Sequence, residues 1–281
     1  MIDDRRPRMA VIGGSGVYAL LAEQSAREVE VPTPFGPPSG PITLGVLDGR
    51  PIAFLARHGT GHSLPPGAIN YRANIWALAK LGVRAVIGSA AVGSLNSGIA
   101  PDAFAVPDQL VDHTKHRRDS FFDGTLPDAG VSHLPAADPY CPVLVALAVD
   151  TVRGLGEQVH SPCTTAVIEG PRFATRAESR WLRSTGADLV NMSQYPEAVL
   201  AAELNIGLVS LAFVTDRDTE DSADGVEASV VFERMRRAEP RIRAALLAVA
   251  VAIDDNYVPR MLTDPDAVDR VLAALPTGRA G

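Results

Sequence analysis

Residues 168–197 read IEGPRFATRAESRWLRSTGADLVNMSQYPE, and this stretch decides how the chain is organised. The segment 188–192 has the length and apolar content of a buried strand, and the turn after it opens a helix. A loop carrying Phe173 precedes the strand, and Met192 and Ser193 stand where the strand ends. Because ligands of α/β sheets bind at the carboxyl ends of the strands, we expect a binding site here.

The rest of the chain alternates between apolar segments of strand length and longer amphipathic segments. We predict strands at 9–12, 42–47, 51–56, 84–91, 165–168 and 208–214, with a small-residue turn at 92–96. We predict helices at 70–81, 142–155 and 226–257, the last broken at Pro240. This alternation is typical of an α/β protein with a twisted mixed sheet flanked by helices.

The composition excludes several classes of protein. With 281 residues, 46% hydrophobic and 21% charged, the chain is globular in character, and we expect one domain over 1–258 and a tail, 259–281, with a short helix. A net charge of −7 argues against a nucleic-acid or anionic-membrane surface. The sequence shows no apolar segment of a secretory signal and no run long enough to span a bilayer, and Cys141 and Cys163 have no metal-type spacing. We therefore expect a cytoplasmic protein.

A glycine-rich turn, 13–16, follows the first predicted strand and precedes a helical run. Such a turn offers backbone N–H groups to an anion, and the Ser15 hydroxyl adds a further donor. Counted from Gly14, the turn also matches the dinucleotide fingerprint GxGxxG/A, but Glu28 and Glu30 come early for a ribose-binding partner. We interpret the turn as a subsite for inorganic phosphate, and a dinucleotide-binding protein remains the alternative from another class.

A second candidate for anion binding is the segment RHGTGH at 57–62, directly after a predicted strand. The planar guanidinium of Arg57 suits a two-point contact with phosphate oxygens, and His58 stands beside it. His58 and His62 are four residues apart, but the glycines between them indicate a loop, in which this spacing does not bring both rings to one face. With no third ligand nearby, we predict phosphate binding and no metal.

Two carboxylates, Asp216 and Asp218, follow the last predicted strand. If the strand continues, residues two apart face the same side of the sheet. Further acidic residues follow them, so a solvated acidic turn is the alternative interpretation.

Two strings, VIEGPRFATRAES from Val167 and NMSQYPEAVLA from Asn191, closely resemble the purine-nucleoside phosphorylase superfamily, and within it the trimeric 5′-methylthioadenosine phosphorylases. The resemblance implies a nucleoside-phosphorylase fold with a partly barrel-like sheet. It implies phosphorolysis, in which a purine nucleoside and phosphate give the free base and a sugar 1-phosphate. It further implies no cofactor, inorganic phosphate as co-substrate, and a homotrimer or a dimer of trimers.

The resemblance also implies a role for each matching residue. The purine would be protonated at N7 by Asp216, and its 6-amino group would be bound with the help of Asp218. The phosphate site would comprise Ser15, Arg57, His58, Ala90, Ala91 and Ser193. The nucleoside site would comprise Phe173, Met192, Val230 and, from a neighbouring subunit, His133. The family commonly has Thr where Ala90 stands, so Ser89 is the hydroxyl that remains in this turn.

The choice of substrate depends chiefly on one position. The 6-oxopurine phosphorylases of the superfamily have Asn where Asp216 stands, because an amide can donate a hydrogen bond to O6. Asp216 therefore favours a 6-aminopurine such as methylthioadenosine, and an apolar pocket including Val230 or Val231 would suit the 5′-methylthio group. A phosphorylase for 6-oxopurine nucleosides and a nucleosidase that uses water remain alternatives, although the pair Arg57 and His58 argues against the nucleosidase.

Overall fold

The computed structural model describes residues 6–14, 26–217 and 227–276. The described strands form one sheet: β1 (Met9–Gly13), β2 (Arg27–Val29), β3 (Ile42–Leu47), β4 (Arg50–Ala56), β5 (Ala85–Ser94), β6 (Phe104–Ala105), β7 (Gln109–His113), β8 (Val159–His160), β9 (Thr164–Ile168), β10 (Leu189–Asn191) and β11 (Gly207–Arg217). The helices are α1 (Tyr71–Leu81), α2 (Pro142–Gly154), α3 (Arg176–Ser184), α4 (Gln194–Glu203), α5 (Ala228–Ala252) and α6 (Pro265–Ala273). This confirms the predicted α/β class with a mixed sheet flanked by helices.

Strand β5 is the centre of the sheet, which branches there. It pairs in parallel with β1 and β11 and antiparallel with β10. On one side the order continues through β1, β4, β3 and β2, and on the other through β10, β9 and β7, while β11 leads to β6 and β8. Because β4, β1, β5 and β11 all run parallel, their carboxyl ends lie at one edge of the sheet.

The helices bury their apolar faces on the sheet and on each other. α2 and α5 pack together against β11, and α4 packs between α1 and the sheet. The limits of α1 follow from its sequence, because the Asn70 side chain accepts from the N–H of Ala73 and Gly82 ends the helix with a φ of 102°. Within the described ranges, no helix combines the length and the hydrophobicity needed to cross a membrane.

The predicted limits of three elements differ from the structure, and one of them, α5, ends at Ala252 rather than at 257. β5 runs through the segment predicted as a turn as far as Ser94, because Gly93 and Ser94 pair with both β10 and β11. β11 likewise continues to Arg217. α5 does not break at Pro240. Pro240 is exposed, so the carbonyl of Arg236 that loses its helical partner can bind water instead.

The C-terminal tail contains the predicted short helix, which packs on the main core. Trp76 donates from Nε1 to the carbonyl of Val271 at 2.9 Å, and Lys80 donates to that of Leu272 at the same distance. Val268 and Val271 are buried in the main hydrophobic cluster. The tail helix thus covers α1 rather than standing apart from the fold.

Candidate active site

A cavity of about 830 Å³ opens at the edge where the parallel strands end. Its walls come from β5, the turns after β4, the loop before α3, the start of α4 and the first half of α5. The predicted site residues that line it are Arg57, His58, Ala90, Ala91, Phe173, Met192, Ser193 and Asp216. Ser15 and Asp218 lie outside the described residues. Val230 and His133 do not line the cavity.

Arg57 lies beneath the cavity, and protein groups already hold most of its guanidinium. Its Nε and Nη2 donate to the two carboxylate oxygens of Glu197 at 2.8 and 2.7 Å, and Nη1 donates to the carbonyl of Ser89 at 2.6 Å. Burial opposes the charge, but the Glu197 carboxylate outweighs it and raises the pKa of Arg57. The two-point contact with phosphate predicted from the sequence is therefore not available to this fork, and Nη1 is the group left to reach a phosphate oxygen.

Glu197 was not identified from the sequence, and the small residues of β5 make room for it. A Cβ at Gly88 would stand 3.2 Å from Glu197 Oε1 and 3.5 Å from Arg57 Nη2. Only glycine at this position leaves space for the ion pair to pack directly on β5.

His58 is a neutral side chain with a fixed orientation. Its Nδ1 lies 2.9 Å from the carbonyl oxygen of Leu64, and its ring stacks on that of His62 with centroids 4.2 Å apart. Burial, and after it the charge of Arg57, lowers the pKa of His58 to about 4. The ring therefore carries no charge at neutral pH.

Asn191 fixes the geometry around Ser193. Its Oδ1 accepts from the backbone N–H groups of Ser193 and Gln194 at 2.7 and 2.8 Å, and its Nδ2 donates to the carbonyl of Ala91 at 2.9 Å. One buried side chain thus ties the start of α4 to β5, between two of the predicted phosphate-binding positions. A recognisable signal is present in the sequence, since an Asn at a turn commonly accepts a hydrogen bond from the backbone N–H two residues on.

Asp216 reaches the cavity because β11 contains a β-bulge. The pairing with β5 shifts register between Val214 and Asp216, so that Thr215 has no separate partner on β5. The Thr215 hydroxyl donates to Asp216 Oδ1 at 2.6 Å, and both side chains line the cavity. A Cβ at Gly93 would lie 3.0 Å from Asp216 Oδ2. Because glycine has no side chain, there is room at this position for the carboxyl group of Asp216.

The loop that carries Phe173 packs closely on Met192. Gly170 has a φ of 67°, and a Cβ there would lie 2.6 Å from Met192 Sδ. A side chain at this position would both strain the backbone and displace Met192. The conformation at Gly170 therefore lets the two predicted nucleoside-binding residues line one cavity.

Arg117 anchors this loop to α4, a role that no local sequence pattern indicated. Its Nη2 donates to the carbonyl of Glu169 at 3.0 Å, and its Nη1 donates to the carbonyl of Tyr195 at 2.5 Å. The side chain is 3% exposed. It joins the backbone just before the Phe173 loop to the backbone just after Ser193.

The α5 wall corrects one predicted residue. Ala228, Val231 and Met235 line the cavity at helical spacing, whereas Val230 is 50% exposed and points elsewhere. One step along a helix turns a side chain by about 100°, which separates Val231 from Val230. Phe232 meets the His62 ring edge to face at 5.7 Å and closes the wall at that side.

His133 is exposed and lies on the long segment between β7 and α2, and it does not line the cavity of its own chain. Among the described residues, His, Cys, Asp and Glu side chains form no group of three that could hold a metal ion.

Comparison with known proteins agrees with this architecture. Residues 8–250 match the family described as the phosphorylase superfamily. The S-methyl-5′-thioadenosine phosphorylase of Mycolicibacterium smegmatis is 47% identical over 247 residues, which cover 88% of this chain and 91% of the relative. A probable 6-oxopurine nucleoside phosphorylase of Thermococcus kodakarensis is 44% identical over 257 residues, which cover 90% and 94%.

A solved methylthioadenosine phosphorylase from an Antarctic soil metagenomic library superposes with a TM-score of 0.84 at 35% identity, covering 96% of this chain and 99% of that one. The chain belongs to the phosphorylase superfamily. The superfamily assigned from the sequence is thereby confirmed, and the fold is that of the methylthioadenosine phosphorylases.

Proposed function

We propose that this enzyme catalyses the phosphorolysis of a purine nucleoside, with S-methyl-5′-thioadenosine as its substrate and adenine and 5-methylthioribose 1-phosphate as products. The observation that carries the proposal is that one cavity is lined both by the carboxyl group of Asp216 and by the anion-binding candidates at Arg57, His58 and Ser193. Relatives and solved neighbours named as methylthioadenosine phosphorylases support the same reaction.

The reaction needs an acid for the base and a nucleophile beneath the sugar. A phosphate oxygen forms a bond to C1′ as the C1′–N9 bond breaks, and the bonding pair leaves with the purine. Asp216 donates a proton to N7, which neutralises the developing charge on the base. General acid catalysis of this kind contributes a factor of about 10²–10⁴ in rate.

The remaining residues position the reactants. Phe173 stacks on the base, and Met192 packs against the sugar. Phosphate is held by Nη1 of Arg57, by His58 and by Ser193 with backbone groups of β5, together with Ser15 from the glycine-rich turn. Orientation of the phosphate oxygen towards C1′ removes much of the entropic barrier of a two-substrate reaction.

Selection of the base follows from the carboxyl groups. A carboxyl group that is protonated on one oxygen donates to N7, and its other oxygen can accept a hydrogen bond from a 6-amino group. With a 6-oxo group, that second oxygen would be one acceptor facing another. Asp216, assisted by Asp218, therefore favours adenine-type nucleosides. The apolar side chains of Val231 and Met235 on α5 suit a methylthio group at the 5′ position.

A larger assembly completes the site in this proposal. His133, exposed and outside the lining of its own cavity, would reach the nucleoside site of a neighbouring subunit in a homotrimer or a dimer of trimers. We also propose a cytoplasmic enzyme of purine and methionine salvage that has one domain over 1–258 and a tail over 259–281. It uses no metal or organic cofactor.

The second candidate is a phosphorylase for 6-oxopurine nucleosides, which the relative from Thermococcus kodakarensis favours. Initial rates on methylthioadenosine, adenosine, methylthioinosine and inosine, each at saturating phosphate, separate the two. We expect kcat/KM to be highest for methylthioadenosine and at least tenfold lower for both 6-oxopurines. A preference for inosine or methylthioinosine would establish the second candidate instead.

A further inference from the structure

One ring nitrogen of His58 is committed to the backbone, and this decides what the other nitrogen can do. Nδ1 lies 2.9 Å from the carbonyl oxygen of Leu64. A carbonyl oxygen only accepts hydrogen bonds, so Nδ1 carries the hydrogen of the neutral ring. Nε2 then carries a lone pair, and the His58 side chain makes no further hydrogen bond to the described residues.

The surroundings of His58 favour this neutral form. Arg57 is the adjacent residue, and the ring of His62 stacks on that of His58. Glu197 is already engaged by the Arg57 guanidinium and does not reach the ring as a counter-charge. The other charged residues that line the same cavity are Asp216 on β11 and Arg236, Glu239 and Arg243 on α5.

We propose that His58 selects the oxyanion by its proton: the subsite accepts hydrogen phosphate, whose P–O–H group donates to Nε2, and discriminates against sulfate. Sulfate carries no hydrogen at neutral pH, so one of its oxygens would face the Nε2 lone pair as a second acceptor. An unsatisfied buried contact of this kind costs on the order of tenfold in affinity or more. The inference rests on the proposed function, since it takes phosphate to be the co-substrate held beside His58.

Two substitutions separate the ring nitrogens. His58→Asn keeps an amide donor near the position of Nδ1, able to bond the carbonyl of Leu64, and removes the acceptor at Nε2. His58→Gln places an amide near the position of Nε2, where it can donate to an oxyanion. His116→Asn is the matched control, because His116 is exposed and has a φ of 59°, a conformation that Asn tolerates well.

The test is the ratio of the sulfate inhibition constant to the phosphate KM, measured from the release of adenine from methylthioadenosine by ultraviolet absorbance. We expect a large ratio in the wild type and in His116→Asn, and a ratio at least tenfold smaller in both His58 variants. Arsenate, which keeps a hydrogen at neutral pH, should behave like phosphate. Sulfate inhibition of the wild type should strengthen as the pH falls from about 6 towards about 4, because the ring becomes protonated there and gains a donor at Nε2, and this change should be absent in His58→Asn.

The outcomes are distinguishable from failure of the proposed function. If phosphorolysis proceeds and the ratio is the same in His58→Asn as in the wild type, the selectivity inference is overturned while the function stands. If adenine release does not depend on phosphate in the wild type, both are overturned. Calorimetric titration of the wild type with phosphate and with sulfate gives a check that needs no variant, and equal affinities would contradict the inference.

Discussion

The buried ion pair between Arg57 and Glu197 gives a quantitative prediction about stability. Both side chains are 3% exposed, and two N–H groups of Arg57 donate to the carboxylate. Glu197→Gln keeps the volume and removes the negative charge, which leaves the guanidinium uncompensated in the interior. Removing one partner of a buried pair costs about 3–5 kcal/mol. At roughly 2 °C per kcal/mol for a chain of this length, we expect Tm to fall by about 6–10 °C.

The measurement is thermal unfolding and urea unfolding of the wild type and the variant at neutral pH. Glu233→Gln is the control, because Glu233 forms an exposed pair with Arg236 and its loss should leave Tm unchanged. The double variant Arg57→Met with Glu197→Met should recover much of the lost Tm, since it leaves no buried charge. If Glu197→Gln shifts Tm no more than Glu233→Gln does, the pair is not the buried, mutually dependent unit described above.

Three further predictions concern single positions. Asp216→Asn should lower kcat/KM for methylthioadenosine by a factor of about 10²–10⁴ and raise kcat/KM for inosine, because an amide cannot protonate N7 but can donate a hydrogen bond to O6. An unchanged preference between the two substrates would show that Asp216 has no part in the mechanism. Burial and the charge of Arg57 depress the pKa of His58 in the folded protein to about 4, so the stability that depends on its neutral form is complete above about pH 6.5 and is lost as the pH falls towards 4. The free energy of unfolding of the wild type should therefore depend more steeply on pH in this window than that of His58→Asn. Parallel pH profiles for the two proteins would contradict this. Gly93→Ala should lower the free energy of unfolding by about 1–3 kcal/mol and reduce kcat, because the new Cβ would lie 3.0 Å from Asp216 Oδ2. Gly154→Ala is the control and should change neither quantity, because a Cβ at Gly154 would have no atom within 4 Å. Equal behaviour of the two variants would count against close packing at Gly93.

Much of the fold could be predicted because local patterns agree with the tertiary structure. The predicted strands at 42–47 and 51–56 became β3 and β4, and the helix predicted at 70–81 became α1. The errors at β5 and β11 fall where long-range pairing decides the outcome. β5 and β11 extend past their predicted ends because each provides hydrogen bonds to the other, a pairing that neither segment reveals alone.

The candidate site divides in the same way. Residues within the two resembling strings, such as Phe173 and Ser193, line the cavity, and their binding roles stay predictions. Glu197 could not be assigned from local sequence, because its function depends on Arg57, 140 residues away in the chain. The sequence could not separate Val230 from Val231, because the phase of a helix depends on where the helix begins, and the sequence before α5 does not fix that point.

We propose that this cavity binds a purine nucleoside and inorganic phosphate together, so that phosphate cleaves the bond between sugar and base. The most direct measurement is the release of adenine from methylthioadenosine with and without phosphate, followed by ultraviolet absorbance, with the sugar product identified by mass. We expect release to require phosphate and to yield 5-methylthioribose 1-phosphate. Release at the same rate without phosphate, with free 5-methylthioribose as the product, would show that water is the nucleophile and would contradict the account.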